Sequence, residues 1–379
     1  MTVVAPRAPV AVRLNPVVLP GDGVGPEVTA AAMDVLAAVA ERFGHSLDPV
    51  SHDIGWVASV THGVSLPEAT LEACVSARAV FLGAVGDPRA EGAPAERRPE
   101  AALLALRKAL GCFANLRPIK VDDALLDVSA VRRDLVEGTD ILIVRELIGG
   151  IYFGEPRGRK DGPGGVMAFD TMAYDQEEIR RIARVAFEAA GERQGRLTSI
   201  DKANVLESSR LWRETVTAMS TEYPEVSLSH MLVDRAAMEL ITRSRDFDVI
   251  LAPNLFGDVL SDEGAALTGS MGVLASASIG GRTGLYEPVH GSAPDLAGRD
   301  LANPIGAIRS AGLMLRHTYG LSHEANAVDA AIADVLSSGL RTPDLEAPGT
   351  RVVGTGAFGR AVAQALSNPH PDRQSEVHS

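Results

Sequence analysis

The segment FDVILAPNLFGDVLSDEGAAL (residues 247–267) decides the fold class. It opens on a short apolar run of strand length, is stopped by Pro253, and continues with helical spacing of apolar residues. It is thus a strand-then-helix unit. The same segment carries Asp258 and Asp262, four residues apart. A helix starting near Gly257 stacks both carboxylates on one face, one turn apart. Two like charges so placed repel unless a cation sits between them, and a hard divalent ion such as Mg²⁺ or Mn²⁺ takes oxygen ligands of this kind. The competing explanation is a solvated helix start, where acids are favoured by the helix dipole.

Outward from this unit the pattern recurs. PVVLP (16–20), ARAVFLGAVG (77–86), TDILIVREL (139–147) and the first part of GRLTSIDKANV (195–205) have strand character. Residues 26–44, 100–111, 177–192 and 211–223 have helical periodicity, the first stopped by Gly44. Alternating strands and helices predict an α/β fold with a largely parallel core. The Pro-, Gly- and charge-rich residues 88–99 predict a mobile loop.

With 379 residues, 46% of them hydrophobic, the chain is long enough for two units. A net charge of −13 argues against nucleic acid or an anionic membrane as partner. No apolar run is long enough to span a bilayer. The two cysteines, Cys74 and Cys112, lack metal or redox spacing and are expected as reduced thiols of a cytoplasmic protein. The leader MTVVAPRAPVAVRLNP lacks a cleavage pattern and is expected to be a disordered tail, as is the polar end SNPHPDRQSEVHS.

Further motifs suggest a site. PGDGVGPE does not fit the G-x-G-x-x-G dinucleotide fingerprint and is a tight strand-to-helix turn. Arg145 ends an apolar strand and needs an anionic partner. With Arg107 and Arg117 it would form a cage for a di- or tricarboxylate. Leu103 and Leu104 lie one turn before Arg107, suited either to a pocket wall or to core. Tyr152 stands among glycines. Lys202, one of four lysines, sits in an apolar strand-turn context that suits a base. Asp234 ends another apolar run and is a possible third metal carboxylate. Glu287, His290, Asp295 and Asn303 fall in a Gly- and Pro-rich binding loop, where an acid accepts hydrogen bonds from a ribose and repels a 2′-phosphate.

Together, LPGDGVGPE, LLALRK, NLRPIK, VRELIGGIYFGEPRG, DKANVLESSRLWRE, LVDRAAMEL, APNLFGDVLSDEGAALTGS and LYEPVHGSAPDLAGRDLANP closely resemble the β-decarboxylating dehydrogenases, the isocitrate/isopropylmalate dehydrogenase family, over residues 16–366. The resemblance implies a two-lobed fold that is not a Rossmann fold. Residues 1–112 and 269–379 would form the cofactor-binding lobe, and residues 113–268 the lobe that dimerises, with active sites shared across a homodimer. It implies that Asp258 and Asp262, with Asp234 of a second copy, hold Mg²⁺ or Mn²⁺, and that Arg107, Arg117 and Arg145 bind the substrate carboxylates. Lys202 of the second copy would be the base and Tyr152 the acid that protonates the enol. Leu103 and Leu104, with Val205 of the second copy, would form an apolar wall suited to an isopropyl group. Val24, Glu287, His290, Asp295 and Asn303 would contact NAD. The implied reaction is NAD-dependent oxidative decarboxylation of 3-isopropylmalate in leucine biosynthesis, with a D-malate or tartrate enzyme as the alternative and a non-catalytic regulatory subunit as a third reading. Ile148, Arg235 and Gly306-Ala307 depart from the commoner pattern, and the first two leave room for altered specificity.

Overall fold

A computed structural model describes residues 11–367. Its centre is a ten-stranded sheet. In chain order the strands are β1 (Val17–Gly21), β2 (Val50–Ser51), β3 (Ala79–Ala84), β4 (Ala114–Lys120), β5 (Asp140–Glu146), β6 (Arg196–Asp201), β7 (Ser227–Leu232), β8 (Val249–Ala252), β9 (Ala275–Ile279) and β10 (Gly284–Pro288). Across the sheet they lie in the order β7-β6-β8-β5-β4-β9-β10-β3-β1-β2. The six outer pairings are parallel. The three central ones, β5–β4, β4–β9 and β9–β10, are antiparallel. The expected parallel core is therefore two parallel blocks running in opposite senses, joined by an antiparallel centre. Periodicity distinguishes strand from helix but carries no strand direction, so this join was invisible in the sequence.

The longer helices are α1 (Gly25–Phe43), α2 (Pro99–Leu110), α3 (Gln176–Gly191), α4 (Glu207–Met219), α5 (Val233–Thr242), α6 (Asn254–Glu263), α7 (Ile305–His317), α8 (Ser322–Ser337) and α9 (Thr355–Ser367). α1 ends at Gly44, which takes φ +73° as a left-handed cap. α3 opens with a reciprocal capping box between Asp175 and Glu178. α1 buries Val28, Val35, Leu36 and Val39, and it packs on α9 from the far end of the chain. A two-stranded hairpin, Gly154–Gly162 with Gly165–Thr171, stands apart from the sheet, and most of its residues are exposed.

The tail expected over residues 1–16 is corrected in part. Residues 1–10 lie outside the described region, but Arg13–Leu14 pairs with Ser46–Leu47 and Leu14 is fully buried. Burial of Leu14 and backbone bonds from Ser46, Asp48 and Val50 to this stretch hold it down. Of the polar end, only Ser367 is described. Residues 88–99 include two short 3₁₀ turns, Pro88–Ala90 and Ala95–Arg97. Both cysteines are free and buried, and burial pushes their thiols up to about 12. No helix among the described residues is long and apolar enough to cross a membrane.

Candidate active site

The C-terminal ends of the parallel strands β5, β6, β7 and β8 deliver Arg145, Lys202, Asp234 and the start of α6. Ligands gather at such strand ends because the following helices present their N-termini there. α6 starts at Asn254, three residues before the Gly257 expected from sequence. Pro253 is its N-cap, and Asp258 and Asp262 therefore sit inside the helix, past its first turn. That weakens the helix-dipole explanation for the two acids, which applies to the first turn.

Asp258 is gripped from three sides. Arg145 donates from Nη1 to Oδ1 at 2.5 Å, Tyr152 donates its hydroxyl to Oδ2 at 2.8 Å, and Arg117 Nη1 lies 3.5 Å away. Arg117 also donates to Asp262 Oδ1 at 3.1 Å and to Ser261 Oγ at 2.6 Å. Arg145 is buried, as a guanidinium must be paired to be, and its Nε and Nη2 donate to Asn254. Burial, and then the charges of Arg117 and Arg107 against the opposing pull of Asp258, push Arg145 down to about 9. Burial also lowers Arg117. The three arginines thus share one electrostatic neighbourhood. Arg107, however, spends a donor on Glu287 Oε1 at 2.7 Å, a pair in which both side chains are about nine-tenths buried.

The Tyr152 phenol is raised, first by burial and then by its bond to Asp258. The Asp262 carboxyl is likewise raised by burial, against the pull of Arg117. Lys202 and Asp234 form an ion pair with each other, and its bond to Lys202 holds Asp234 below the usual carboxylate range. Among the described residues no third acid, histidine or cysteine joins Asp258 and Asp262 within this chain. Their side chains are 29% and 50% exposed, leaving carboxylate oxygens open to a ligand. Two hard oxygen donors one turn apart fit a divalent cation as part of a set.

Leu103 is partly buried and, like Ile148, packs on the apolar cluster that contains Leu106 and Leu147. Leu104 is partly buried beside it, whereas Val205 is 61% exposed. On the other side, Val24 is buried and donates its N–H to the Ser292 carbonyl at 2.8 Å. A Cβ on Gly23 would meet that same carbonyl at 1.9 Å, so the glycine is what lets the two loops touch. His290 donates from Nδ1 to the Gly291 carbonyl (2.9 Å), and its Nε2 is shielded from solvent without a partner. An orphaned ring nitrogen in this Gly- and Pro-rich loop has room for a ligand group as its partner. Asp295 is exposed; Asn303 is buried and donates to Asp344 at 3.0 Å.

Several residues escaped the sequence reading. Asn115 on β4 donates to Ser276 and Ser278 on β9 and accepts from Arg117 Nε. The signal was the alternation of polar residues in ANLRPIK and ASASI, which marks one face of a strand. Asn254 donates to the Leu147 and Gly149 carbonyls while holding Arg145. Asp22 is buried and accepts from the N–H groups of Trp56, Val57 and Gly86, tying three loops together. Of the departures, Arg235 is exposed and pairs with Glu239 one turn on. Gly306 is explained sterically, since a Cβ there would lie 2.6 Å from the Leu274 carbonyl.

Residues 15–362 match the family model for isocitrate/isopropylmalate dehydrogenase. The chain is 51% identical to 3-isopropylmalate dehydrogenase of Nitratidesulfovibrio vulgaris, covering 93% of this chain and 100% of that one. It is 52% identical to the Synechococcus sp. (strain CC9902) protein of the same name, covering 92% and 98%. Among solved structures, isocitrate dehydrogenase from Methylococcus capsulatus superposes with a TM-score of 0.84 at 30% identity, covering 93% of this chain and 99% of that one. A β-decarboxylating dehydrogenase from Thermococcus kodakarensis gives 0.75 at 34% identity, covering 93% and 96%.

Proposed function

We infer the function from one premise: the chain belongs to the isocitrate/isopropylmalate dehydrogenase family. It is a decarboxylating dehydrogenase of a 2-hydroxy acid that uses a dinucleotide and a divalent metal. Its reaction is oxidative decarboxylation of 3-isopropylmalate to 4-methyl-2-oxopentanoate and CO₂, a step of leucine biosynthesis. The observation that carries the site assignment is the convergence of Arg117, Arg145 and Tyr152 on Asp258.

In this reading Arg107, Arg117 and Arg145 bind and orient the two substrate carboxylates. Leu103 and Leu104, with Val205 of a second copy, enclose the isopropyl group. Asp258 and Asp262, with Asp234 of a second copy, would hold Mg²⁺ or Mn²⁺, and Val24, Glu287, His290, Asp295 and Asn303 would hold NAD. When bound, the cation supplies Lewis acidity and the dinucleotide supplies the hydride acceptor. Lys202 of the same second copy takes the proton of the C2 hydroxyl as that carbon is oxidised. Loss of CO₂ from C3 leaves its bonding pair on the carbon skeleton as an enolate. Tyr152 then delivers its hydroxyl proton to C3, completing the 2-oxo acid. Asp258, which accepts the Tyr152 hydroxyl, and Arg145, whose guanidinium lies 5.8 Å from the ring centroid, fix where that proton is presented. Asp295 in the exposed loop favours NAD over its 2′-phosphorylated form.

A homodimer is supported by exposed apolar side chains of Val205, Met238 and Val259 on α5, α6 and the neighbouring turn, and by the free-standing hairpin. The division into residues 1–112 with 269–379, and 113–268, is supported by the sheet order, in which each group of strands is contiguous. The cytoplasm is the compartment proposed, and two free buried cysteines suit it.

The test is purified protein with NAD⁺ and Mn²⁺ or Mg²⁺, followed by NADH absorbance on 3-isopropylmalate, D-malate, tartrate, isocitrate and homoisocitrate in parallel. The expected result is a kcat/KM for 3-isopropylmalate above all the others. Preference for D-malate or tartrate would keep the chemistry and overturn the substrate.

A further inference from the structure

Glu146 follows Arg145 at the end of β5, and the mechanism above does not use it. Its side chain is fully buried. Oε2 accepts from the Gly149 N–H at 2.8 Å, and Oε1 accepts from the Ile148 N–H at 3.2 Å. One cation reaches it, Arg181 of α3, at 3.4 Å. All of these neighbours are donors, so the carboxylate form is the one that satisfies them. The turn it holds is also confined from outside. Asn254 donates to the Gly149 carbonyl at 2.9 Å, and the Tyr174 ring fills the space where side chains on Gly149 and Gly150 would stand. Gly150 takes φ +69°, which a side chain would strain. Gly150 opens the 3₁₀ turn that ends at Tyr152, whose hydroxyl meets Asp258.

We propose that Glu146 is a positioning residue, whose buried carboxylate fixes the Ile148–Gly149 turn and thereby the Tyr152 hydroxyl against Asp258. The inference rests on the role given to Tyr152 above. Burying an acid has a cost: its carboxyl is pushed up to about 7 by burial, against the pull of the two N–H groups and Arg181. A merely structural position would be filled better by an apolar side chain, so the retained acid is set to a geometric task. Ile148 donates only its backbone N–H to this arrangement, and its side chain packs on the apolar cluster beside Leu103.

Glu146→Gln keeps the shape but turns an NH₂ donor toward N–H donors, so one backbone bond is lost. Turnover and amide exchange of the full-length enzyme are measured for this variant, for Tyr152→Phe and for the double variant. Glu146→Gln is expected to lower kcat by roughly tenfold to a hundredfold, the cost of misplacing a reacting group, with KM for both substrates unchanged. The double variant is expected to be no slower than Tyr152→Phe, because both changes remove one effect. Hydrogen exchange over residues 147–152 is expected to accelerate. Unchanged exchange in that segment, or two effects that simply multiply, would overturn the proposal. If Tyr152→Phe alone keeps full turnover, the acid role of Tyr152 fails, and exchange still decides whether Glu146 anchors the turn. Should Glu146→Gln not fold, Glu146→Asp, which keeps the charge but withdraws it by one methylene, is put through the same measurements.

Discussion

Gly257 lies one residue before Asp258 in α6, against the aliphatic stem of Arg145. A Cβ at this position would sit 2.7 Å from Arg145 Cγ and 2.8 Å from its Cβ. Ordinary carbon contacts are about 3.5–4.0 Å, so Gly257→Ala demands roughly 1 Å of movement. Arg145 has nowhere to go cheaply, since it is buried and its guanidinium is bonded to Asn254 and Asp258. Overpacking of this kind costs about 1–3 kcal/mol, partly offset by about 1 kcal/mol from replacing glycine inside a helix. Net stability should fall by about 0–2 kcal/mol, small enough to leave a folded enzyme. Function should suffer more, because displacing the guanidinium by about 1 Å misaligns the substrate carboxylate and costs on the order of a hundredfold in kcat/KM. The assay pairs kcat/KM for 3-isopropylmalate with urea denaturation. Gly191→Ala at the end of α3, where a Cβ meets only the Glu225 side chain at 3.7 Å, is the control expected to keep full activity. A folded Gly257→Ala with wild-type kcat/KM would refute the claim that the glycine exists to seat Arg145.

Three more predictions use the same structure. Glu146 has a folded pKa of about 7 against an ordinary 4.5, so the native state holds its proton more tightly than the unfolded chain. The stability this contributes is complete below about pH 4.5 and is lost as pH rises through about 7, at most about 3 kcal/mol. Urea midpoints should therefore fall further between pH 5 and pH 8, where the carboxylate forms, for the wild type than for Glu146→Gln, and equal slopes would show that burial does not raise this carboxyl. Removal of divalent ions by a chelator should abolish turnover and readdition of Mn²⁺ or Mg²⁺ restore it. Asp258→Asn and Asp262→Asn should lose that response, with a loss on the order of a thousandfold in kcat/KM, measured across a metal titration. Leu103→Ala should narrow the preference for 3-isopropylmalate over D-malate by about 1–3 kcal/mol, read as the ratio of kcat/KM values; an unchanged ratio would remove Leu103 from the pocket wall.

Local features were legible where one residue type enforces one geometry. Gly44 stops α1 with a positive φ, and the apolar runs of β1, β3, β5 and β8 became strands. Motif spacing also brought Asp258 and Asp262 onto one helix face and led to Arg117 and Arg145 beside them, and the family resemblance added Tyr152. What stayed hidden depends on partners distant in the chain. Asn115 acquires meaning only when β9 brings Ser276 and Ser278 beside it, more than a hundred residues on. The start of α6 at Asn254 was missed because its cap is made by backbone geometry at Pro253, with no side-chain bond to announce it. Glu146 drew no reading from sequence at the end of an apolar strand, and only the turn folding back over it reveals two N–H groups that need an acceptor.

The order of strands in the sheet also governs how the chain must assemble. β3 pairs with β10, Phe81 against Tyr286, and α1 packs on α9 at the far end of the described chain. The first strands to leave the ribosome therefore wait for most of the polypeptide before one of their edges is covered and α1 gains its partner. Non-local pairings of this kind are slow, and unpaired strand edges associate with the wrong chain in the meantime. The middle strands β5 to β8 face no such delay, because their neighbours lie closer along the chain and emerge together, and β4 waits on one edge alone, for β9. Synthesis thus leaves an interval in which the half of the sheet drawn from the middle of the chain is complete and the half built from both ends is not. The yield of active enzyme should be limited by the survival of the early segment until its last helix arrives.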